Sequence, residues 1–335
     1  MIMADQDRFG SSTTGDEIVE AFANEVNGKT FLITGASAHS LGAETALSLA
    51  RKGTPAQLIL LSRTESRVTP VLSQIQHLNP RVQTFFFPID LSSRSSVHAA
   101  AERVLAHPQI QRIDVLINNA GVMGVPYAPA GEFRERGGRP VEMHLAANHL
   151  GPFLLTALVL ERMRQAGVGA RVVNVSSAAY MGSGIRFEDL NFSNGKKYKR
   201  WEAYGQSKTA NILMAKSLSM KVASREVASF SLHPGIIQTN LNRHFSGFSG
   251  PSESNDVAEG PFDRSPQQGC STILFAALDP QLQAHSGAYL GDCQIQEAED
   301  FATDERIAER LWILSKEIVG IKGAMPFERR RRPAL

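Results

Sequence analysis

Lys29-Thr30-Phe31-Leu32-Ile33-Thr34 is a short run of β-formers that breaks at Gly35 into a turn, and the turn ends at Gly42, where helical spacing begins. Over residues 42–52, Ala46, Leu47, Leu49 and Ala50 fall on one side of a helix. Strand, glycine turn and helix in that order allow few folds. At the helix start, unpaired backbone N–H groups converge on one point and glycines let an anion approach the main chain. This is the first unit of a dinucleotide-binding α/β fold. The alternation then continues: residues 57–61, 85–90, 115–117 and 171–177 read as further strands, and 141–164 and 202–223 as helices. The chain has 335 residues, 42% of them hydrophobic, and shows no long linker or internal repeat. One large core is therefore within reach, and the expected fold is a single doubly wound, Rossmann-type parallel sheet with helices on both faces.

Several function classes lose support from composition. A net charge of +2 gives no basic field with which to argue for nucleic acid or a membrane surface as partner. Cys270 and Cys293 are the only cysteines and lack metal-ligand spacing, which predicts reduced thiols in a cytoplasmic protein and no metal site. No window reaches the roughly 18 continuous apolar residues of a membrane span. Thr14 and Glu17 ahead of Ile18, Val19, Ala21 and Phe22 read as a capping box opening a short amphipathic helix within an N-terminal extension, residues 1–28. The domain proper is expected over 29–322, followed by a tail, 323–335, whose basic run at 329–332 reads as a solvated end.

Cofactor choice has a local signature. The strand at 57–61 ends in Ser62-Arg63, about twenty residues past Gly42, where a dinucleotide fold places its ribose-reading residue. An acidic residue there would bind the ribose 2′-hydroxyl and repel a 2′-phosphate. Arg63 offers a fork of donors suited to phosphate, so NADP(H) is expected over NAD(H), unless Arg63 merely solvates a strand end. Residues 171–177 read as a strand by their β-branched alternation and deliver a hydroxyl, from Ser176 or Ser177, at its C-terminal end, where doubly wound sheets bind ligands. Tyr204 and Lys208 are four residues apart, one turn above each other if the segment is helical. A phenol titrates near pH 10 and exchanges protons poorly at neutrality unless a cation stabilises its anion, a role Lys208 can fill.

The ordered set Thr34-Gly35-Ala36-Ser37, Asn118-Asn119-Ala120-Gly121, Asn148, Ser177, Tyr204 with Lys208 and His233-Pro234-Gly235 resembles the short-chain dehydrogenase/reductase family along nearly the whole chain. The resemblance implies hydride exchange with a nicotinamide cofactor, with Tyr204 as general acid and base. Lys208 then supplies charge and a ribose contact, Ser177 a hydrogen bond to the substrate oxygen, and Asn148 a water linking Lys208 to solvent. The family turn is TGxxxGxG. Here Gly35-Ala36-Ser37-Ala38-His39-Ser40-Leu41-Gly42 carries one extra residue, and Ser40 stands near the middle glycine's place. A working but reshaped phosphate turn is expected, in which His39 or Ser40 adds a side-chain contact. Asp90 and Leu91 resemble the positions beside the adenine, although Asp90 would serve equally as a helix N-cap. Asn119, Ala120 and Gly121 resemble the turn lining the cofactor, and Pro234, Gly235, Ile237 and Thr239 the segment closing over the nicotinamide. The longer stretch ahead of Tyr204, with Phe187 to Phe192 and Gln267-Gln268-Gly269, is similar to the retinol-dehydrogenase-like branch.

Two segments are expected to shape a substrate pocket, residues 124–140 with Tyr127 and Phe133, and the loop 236–264 with Ile237, Leu241, Phe245 and Phe248. Its stretch 250–256 is polar and turn-rich, as a lid would be. An apolar or aromatic carbonyl compound fits these residues better than a sugar or small acid. Retinoids are not carried over from that branch; soluble relatives with this kind of phosphate turn resemble fungal metabolite-tailoring enzymes, which implies a secondary metabolite such as a polyketide-like or terpenoid ketone. The alternatives are a cofactor-binding regulator or scaffold without turnover, and an epimerase or dehydratase that returns its hydride. Relatives pair through the two helices at 141–164 and 202–223, so a homodimer is an expectation as well.

Overall fold

The computed structural model describes residues 8–237 and 264–328. Ten strands occur among them: β1 Thr30–Thr34, β2 Gln57–Ser62, β3 Gln83–Pro88, β4 Val115–Asn118, β5 Pro129–Arg134, β6 Pro140–Glu142, β7 Ala170–Val175, β8 Val227–Leu232, β9 Tyr289–Gly291 and β10 Gln294–Gln296. Eight form one sheet in the order β10-β9-β8-β7-β4-β1-β2-β3, and only β10 runs antiparallel to its neighbour. The chain winds outward from β1 in one direction, then crosses to β4 and winds the other way. That is a Rossmann-type doubly wound fold, and it opens a crevice at the C-terminal ends of β1 and β4, where the order reverses.

Strand residues alternate between two apolar layers. Leu32, Ile59, Leu116 and Val172 join one buried cluster with the helices Arg94–Ala106, Gly151–Gln165, Arg200–Lys221 and Glu305–Val319. Phe31, Ile33, Leu58, Leu60 and Val173 join the other, with Leu41–Lys52, Thr69–Leu78 and Pro266–Leu278. Burial on both faces explains why these strands read as continuous apolar runs rather than alternating ones. The N-terminal capping box is present at Thr14 and Glu17, and Ile18 and Val19 of the helix Gly15–Ala21 are fully buried in the second layer.

Three expectations change. The third strand starts at Gln83 and ends at Pro88, so Ile89 and Asp90 already belong to the turn. A proline is tolerated there because β3 is the sheet edge and needs no further donor. The segment 124–140 is not an open loop: it contains the hairpin of β5 with β6, and Phe133 is fully buried in the first layer instead of facing a pocket. The helix expected over 141–164 begins at Met143 and makes a π-turn over Ala146–Leu150, where the Gly151 N–H reaches back five residues to the Ala146 carbonyl. Met143–Gln165 is long and apolar enough to cross a membrane, but it is 83% buried inside the domain, as a core helix is. Glu305–Val319 packs against both helices expected to pair in a homodimer, with Trp312 edge-on to Phe153 at 4.8 Å and Lys221 bonded to Glu309.

Gly151 ends the π-turn where the helix crosses the loop after β3. A β-carbon on it would stand 2.1 Å from the Leu91 carbonyl oxygen, a backbone atom that cannot swing away. Gly151→Ala is expected to destabilise the fold by about 1–3 kcal/mol, despite alanine's better helix propensity. Urea denaturation checks this, and an unchanged or raised midpoint would contradict it.

Candidate active site

The crevice is a cavity of about 300 Å³ reaching from the end of β2 to the helix Arg200–Lys221. Gly35 has φ 74°, and a β-carbon on it would come within 2.8 Å of the Ala120 backbone. One on Gly42 would meet the Gly35 carbonyl oxygen at 2.7 Å and Asn119 Nδ2 at 2.6 Å. Only glycine lets the turn lie this close to the β4 end, leaving the helix N-terminus open to the crevice. Ser40 closes the turn by donating to the Gly35 carbonyl at 2.7 Å while accepting from the Ala43 N–H at 3.1 Å as helix cap. The additional residue is absorbed at His39, which sits in the left-handed region with φ 62° and is exposed. His39 does not line the cavity, contrary to expectation, because that conformation turns it out of the path between Ser37 and Ser40. Gly42 is likewise a packing position and not a lining one.

Most of the other expected cofactor positions do line the cavity: Ser37, Leu41, Ser62, Arg63, Asp90, Leu91, Asn119, Ala120, Gly121, Pro234, Gly235 and Ile237. Ser37 and Ser62 share a hydrogen bond of 2.8 Å. Asp90 holds its own loop by accepting from the N–H and hydroxyl of Ser92 at 2.9 and 2.7 Å. Gly235, at φ 89°, leaves room for the Arg264 guanidinium, which pairs with Asp292. Two neighbours were not foreseen. Thr64 and Arg67 join Arg63 at the outer rim, placed there by the single helical turn Glu65–Arg67 and by the bond from the Ala38 N–H to the Arg67 carbonyl at 2.8 Å. Neither Arg63 nor Arg67 has an ion-pair partner among the described residues. Thr239, Leu241, Phe245, Phe248, the stretch 250–256 and the basic run 329–332 lie outside the described residues.

At the inner end, Ser177, Tyr204 and Lys208 meet, all three lining the cavity. Ser177 stands just past β7, where its hydroxyl also accepts from the Ala179 N–H at 3.2 Å. The helix with Tyr204 comes against this turn at Gly205, where a β-carbon would meet the Ala179 carbonyl at 2.7 Å. Lys208 donates to the Val175 carbonyl at 2.9 Å, and its ammonium lies 5.5 Å from the centre of the Tyr204 ring. Asn148 does not line the cavity. Its side chain closes a bidentate pair with the Val122 backbone, accepting at 2.7 Å and donating at 2.9 Å, and donates to Ser207 at 2.9 Å. It thereby ties the π-turn to both the β4 loop and the Tyr204 helix. A β-carbon on Gly121 would stand 3.1 Å from Asn148 Oδ1 and 3.6 Å from Lys208 Nζ, so these groups share one neighbourhood. The remaining wall is apolar, made by Val122, Met123, Met143, Ala147 and Ile236.

Comparison with known proteins agrees with this geometry. The sequence model of the short chain dehydrogenase family matches residues 29–188. Mouse retinol dehydrogenase 12 is 36% identical over 305 residues, covering 89% of this chain and 88% of its own. The chain belongs to the short-chain dehydrogenase/reductase family. Human retinol dehydrogenase 11 is also 36% identical, over 297 residues with 89% and 87% coverage, which places this short-chain dehydrogenase in the retinol-dehydrogenase-like branch. Among solved structures, an uncharacterized protein from Mycobacterium paratuberculosis superposes with a TM-score of 0.66 at 30% identity, covering 90% of this chain and 96% of that one. NADPH-bound carbonyl reductase from chicken fatty liver shares the fold at a TM-score of 0.58, with 20% identity and 82% and 100% coverage. The enzyme is therefore a NAD(P)-dependent oxidoreductase acting between alcohols and carbonyl compounds, and the glycine cradle and open helix N-terminus fit such a dinucleotide.

Burial governs the charges of this dehydrogenase site. It pushes the Tyr204 phenol up to about 12, against a smaller opposing effect of the Ser177 hydrogen bond. It pulls the Lys208 ammonium down to about 8. Tyr204 therefore keeps its proton across the neutral range, as a proton donor in carbonyl reduction requires, while Lys208 is the group that titrates first. The cation is present below its value of about 8 and is lost as pH rises through it. Carbonyl reduction is expected to be level at neutral pH and to decline above about pH 8. Measuring kcat/KM against pH checks this, and a profile level well beyond that point would contradict it.

Proposed function

We propose that this enzyme is an NADP(H)-dependent reductase of apolar or aromatic ketones and aldehydes, with Tyr204 as general acid. The observation that carries the reading is the meeting of half-buried Ser177 with buried Tyr204 and Lys208 at the inner end of the dinucleotide crevice. A bound nicotinamide cofactor supplies the hydride to the carbonyl carbon. Ser177 donates a hydrogen bond to the substrate oxygen, and this bond strengthens as negative charge gathers there. Tyr204 delivers its proton to the same oxygen. Lys208 stabilises the phenolate that remains, and Asn148, by bracing the π-turn against Val122 and Ser207, holds the helix beside Lys208 in place.

Preference for the 2′-phosphate form is supported by the rim. Ser62 and Arg63 stand at the end of β2 with no carboxylate in the discriminating position, and Arg67 brings a second unpaired guanidinium to the same edge. The substrate class is supported by the wall of Met123, Met143, Ala147 and Ile236, which offers dispersion contacts and few hydrogen bonds. The relatives are named for retinol, itself an apolar alcohol, and a secondary metabolite with a carbonyl on an apolar frame is the substrate inferred for this chain. Free, buried Cys270 and Cys293 suit the reducing cytoplasm, which is the compartment we infer.

Incubation with NADPH and a panel of apolar aldehydes and ketones, read as a two-hydrogen mass gain, tests the reaction. Product without net cofactor consumption would point to an epimerase or dehydratase instead. Tyr204→Phe keeps the ring and removes the proton, so turnover is expected to fall at least about 100-fold with NADPH affinity nearly unchanged. Near-normal turnover would sink the assignment. Arg63→Ala is expected to weaken NADPH by about 1.5–3 kcal/mol and NADH much less. Isothermal titration with both nucleotides decides that point, and equal losses would remove Arg63 from phosphate recognition.

A further inference from the structure

Beside Tyr204 lie three buried or half-buried polar side chains that the scheme above does not use. Glu142 and His144 are both fully buried, at the junction where β6 becomes the helix leading to Asn148. The Glu142 carboxylate is pinned by main chain, accepting the N–H groups of His144 at 2.8 Å and Leu145 at 3.2 Å. It also accepts a hydrogen bond from the His144 Nδ1–H at 2.5 Å. That contact sets the tautomer and stops the imidazole from turning over. Tyr198 reaches the same Nδ1 at 3.2 Å and donates its own proton to the Val125 carbonyl at 2.7 Å. The imidazole so fixed stands edge-on to Tyr204, with ring centres 5.9 Å apart and planes at 66°.

We propose that Glu142, His144 and Tyr198 are positioning residues that hold the Tyr204 ring where its proton can be delivered. The inference rests on the reading of Tyr204 as general acid. Tyr204 is itself buried, and His144 is one of the three described residues with a ring or cation contact to it. Trp201 is also edge-on to it, with ring centres 6.0 Å apart, but is 44% exposed, the Lys208 ammonium lies 5.5 Å from its centre, and the Ser177 hydroxyl must remain available to the substrate. Proton transfer needs a heavy-atom approach of about 2.6–3.2 Å, and a misplacement of about 1 Å can cost two orders of magnitude in rate. A fully buried carboxylate and imidazole are costly to desolvate, and an apolar pair would fill the same space at less expense. What the polar pair adds is a ring of fixed orientation.

The stretch ahead of Tyr204 acquires a purpose on this view. Phe192, Ser193 and Asn194 all adopt left-handed backbone, with φ of 55°, 53° and 55°, and Asp189 holds the turn by accepting the Ser193 N–H at 2.6 Å. The turn brings Tyr198 back over β6, where its ring packs edge-on to Tyr127 and Phe192 at 5.4 and 5.6 Å. The stretch thus acts as a brace carried to the far side of His144.

The test compares His144→Asn and Tyr198→Phe with the unaltered enzyme and with Tyr204→Phe. Asparagine keeps a donor for Glu142, leaving no unpaired buried charge, yet deletes the ring edge that meets Tyr204. Its kcat is expected to fall at least about tenfold while the Kd for NADPH and the substrate KM stay within about twofold. Tyr198→Phe is expected to show the same split with a loss of about three- to tenfold, and it decides the matter if His144→Asn does not fold. A folded variant with kcat within about twofold of the unaltered enzyme overturns the inference, as does a kcat loss matched by equal loss of NADPH binding. If the unaltered enzyme is active, Tyr204→Phe is silent and both brace variants are normal, only the brace is wrong. Equal turnover by the unaltered enzyme and Tyr204→Phe overturns the acid–base reading and the brace with it.

Discussion

The Thr34 hydroxyl accepts the backbone N–H groups of Asn119 and Ala120 at 3.0 and 3.1 Å, and it donates to the Ile117 carbonyl at 3.3 Å. Asn119 answers by donating its side-chain amide to the Thr34 carbonyl at 2.9 Å. These bonds lock the ends of β1 and β4 together at the one place where the sheet changes winding direction. Each buried N–H left unpaired there would cost about 1–3 kcal/mol. The phosphate turn departs from one side of the lock and the loop to Val122 from the other. Asn148 grips that second loop, so the lock transmits the sheet's register to the π-turn and through Ser207 to the helix of Tyr204.

Placing the chemistry at this point gives it a dry environment, and dryness acts in opposite directions on the two titratable groups. The phenol is made a weaker acid and the ammonium a stronger one. Their values move apart, the phenol up to about 12 and the ammonium down to about 8, because burial favours the neutral form of each. Protonated tyrosine beside a lysine still charged at neutral pH is the state suited to giving a proton to a carbonyl oxygen. Burial is the largest cause of both shifts.

Much of this was legible in the linear chain, for reasons that differ by residue. Tyr204 and Lys208 could be read because one helical turn separates them, and Ser177 because a β-branched strand ends just before it. Gly35 and Gly42 were legible as a turn, yet the turn's detail was not: the spacing gave no way to tell that His39 would take the left-handed backbone and leave Ser40 to close the bonds. Phe133 looked like a pocket residue because nothing local revealed the β5–β6 hairpin that buries it. Met123, Arg67 and the pair of Met143 with Ala147 reach the cavity from three separate places in the chain, and no pattern in sequence joins the three. Glu142 and His144 are two apart across a strand-to-helix junction, a place where neither strand nor helix periodicity applies.

The π-turn over Ala146–Leu150 sets a phase as well as a path. One residue more than an α-helix needs rotates everything before it by about 100° relative to everything after it. Downstream, Phe153, Leu154 and Leu160 face the core, and upstream, Met143 meets the cavity while His144 meets Tyr204. Removing a single residue from the turn would yield a more regular helix with better hydrogen bonds. It would also swing the upstream face away from the site it serves. Regularity and function thus oppose each other over this one turn, so selection for thermal robustness alone would erode the alignment on which turnover depends.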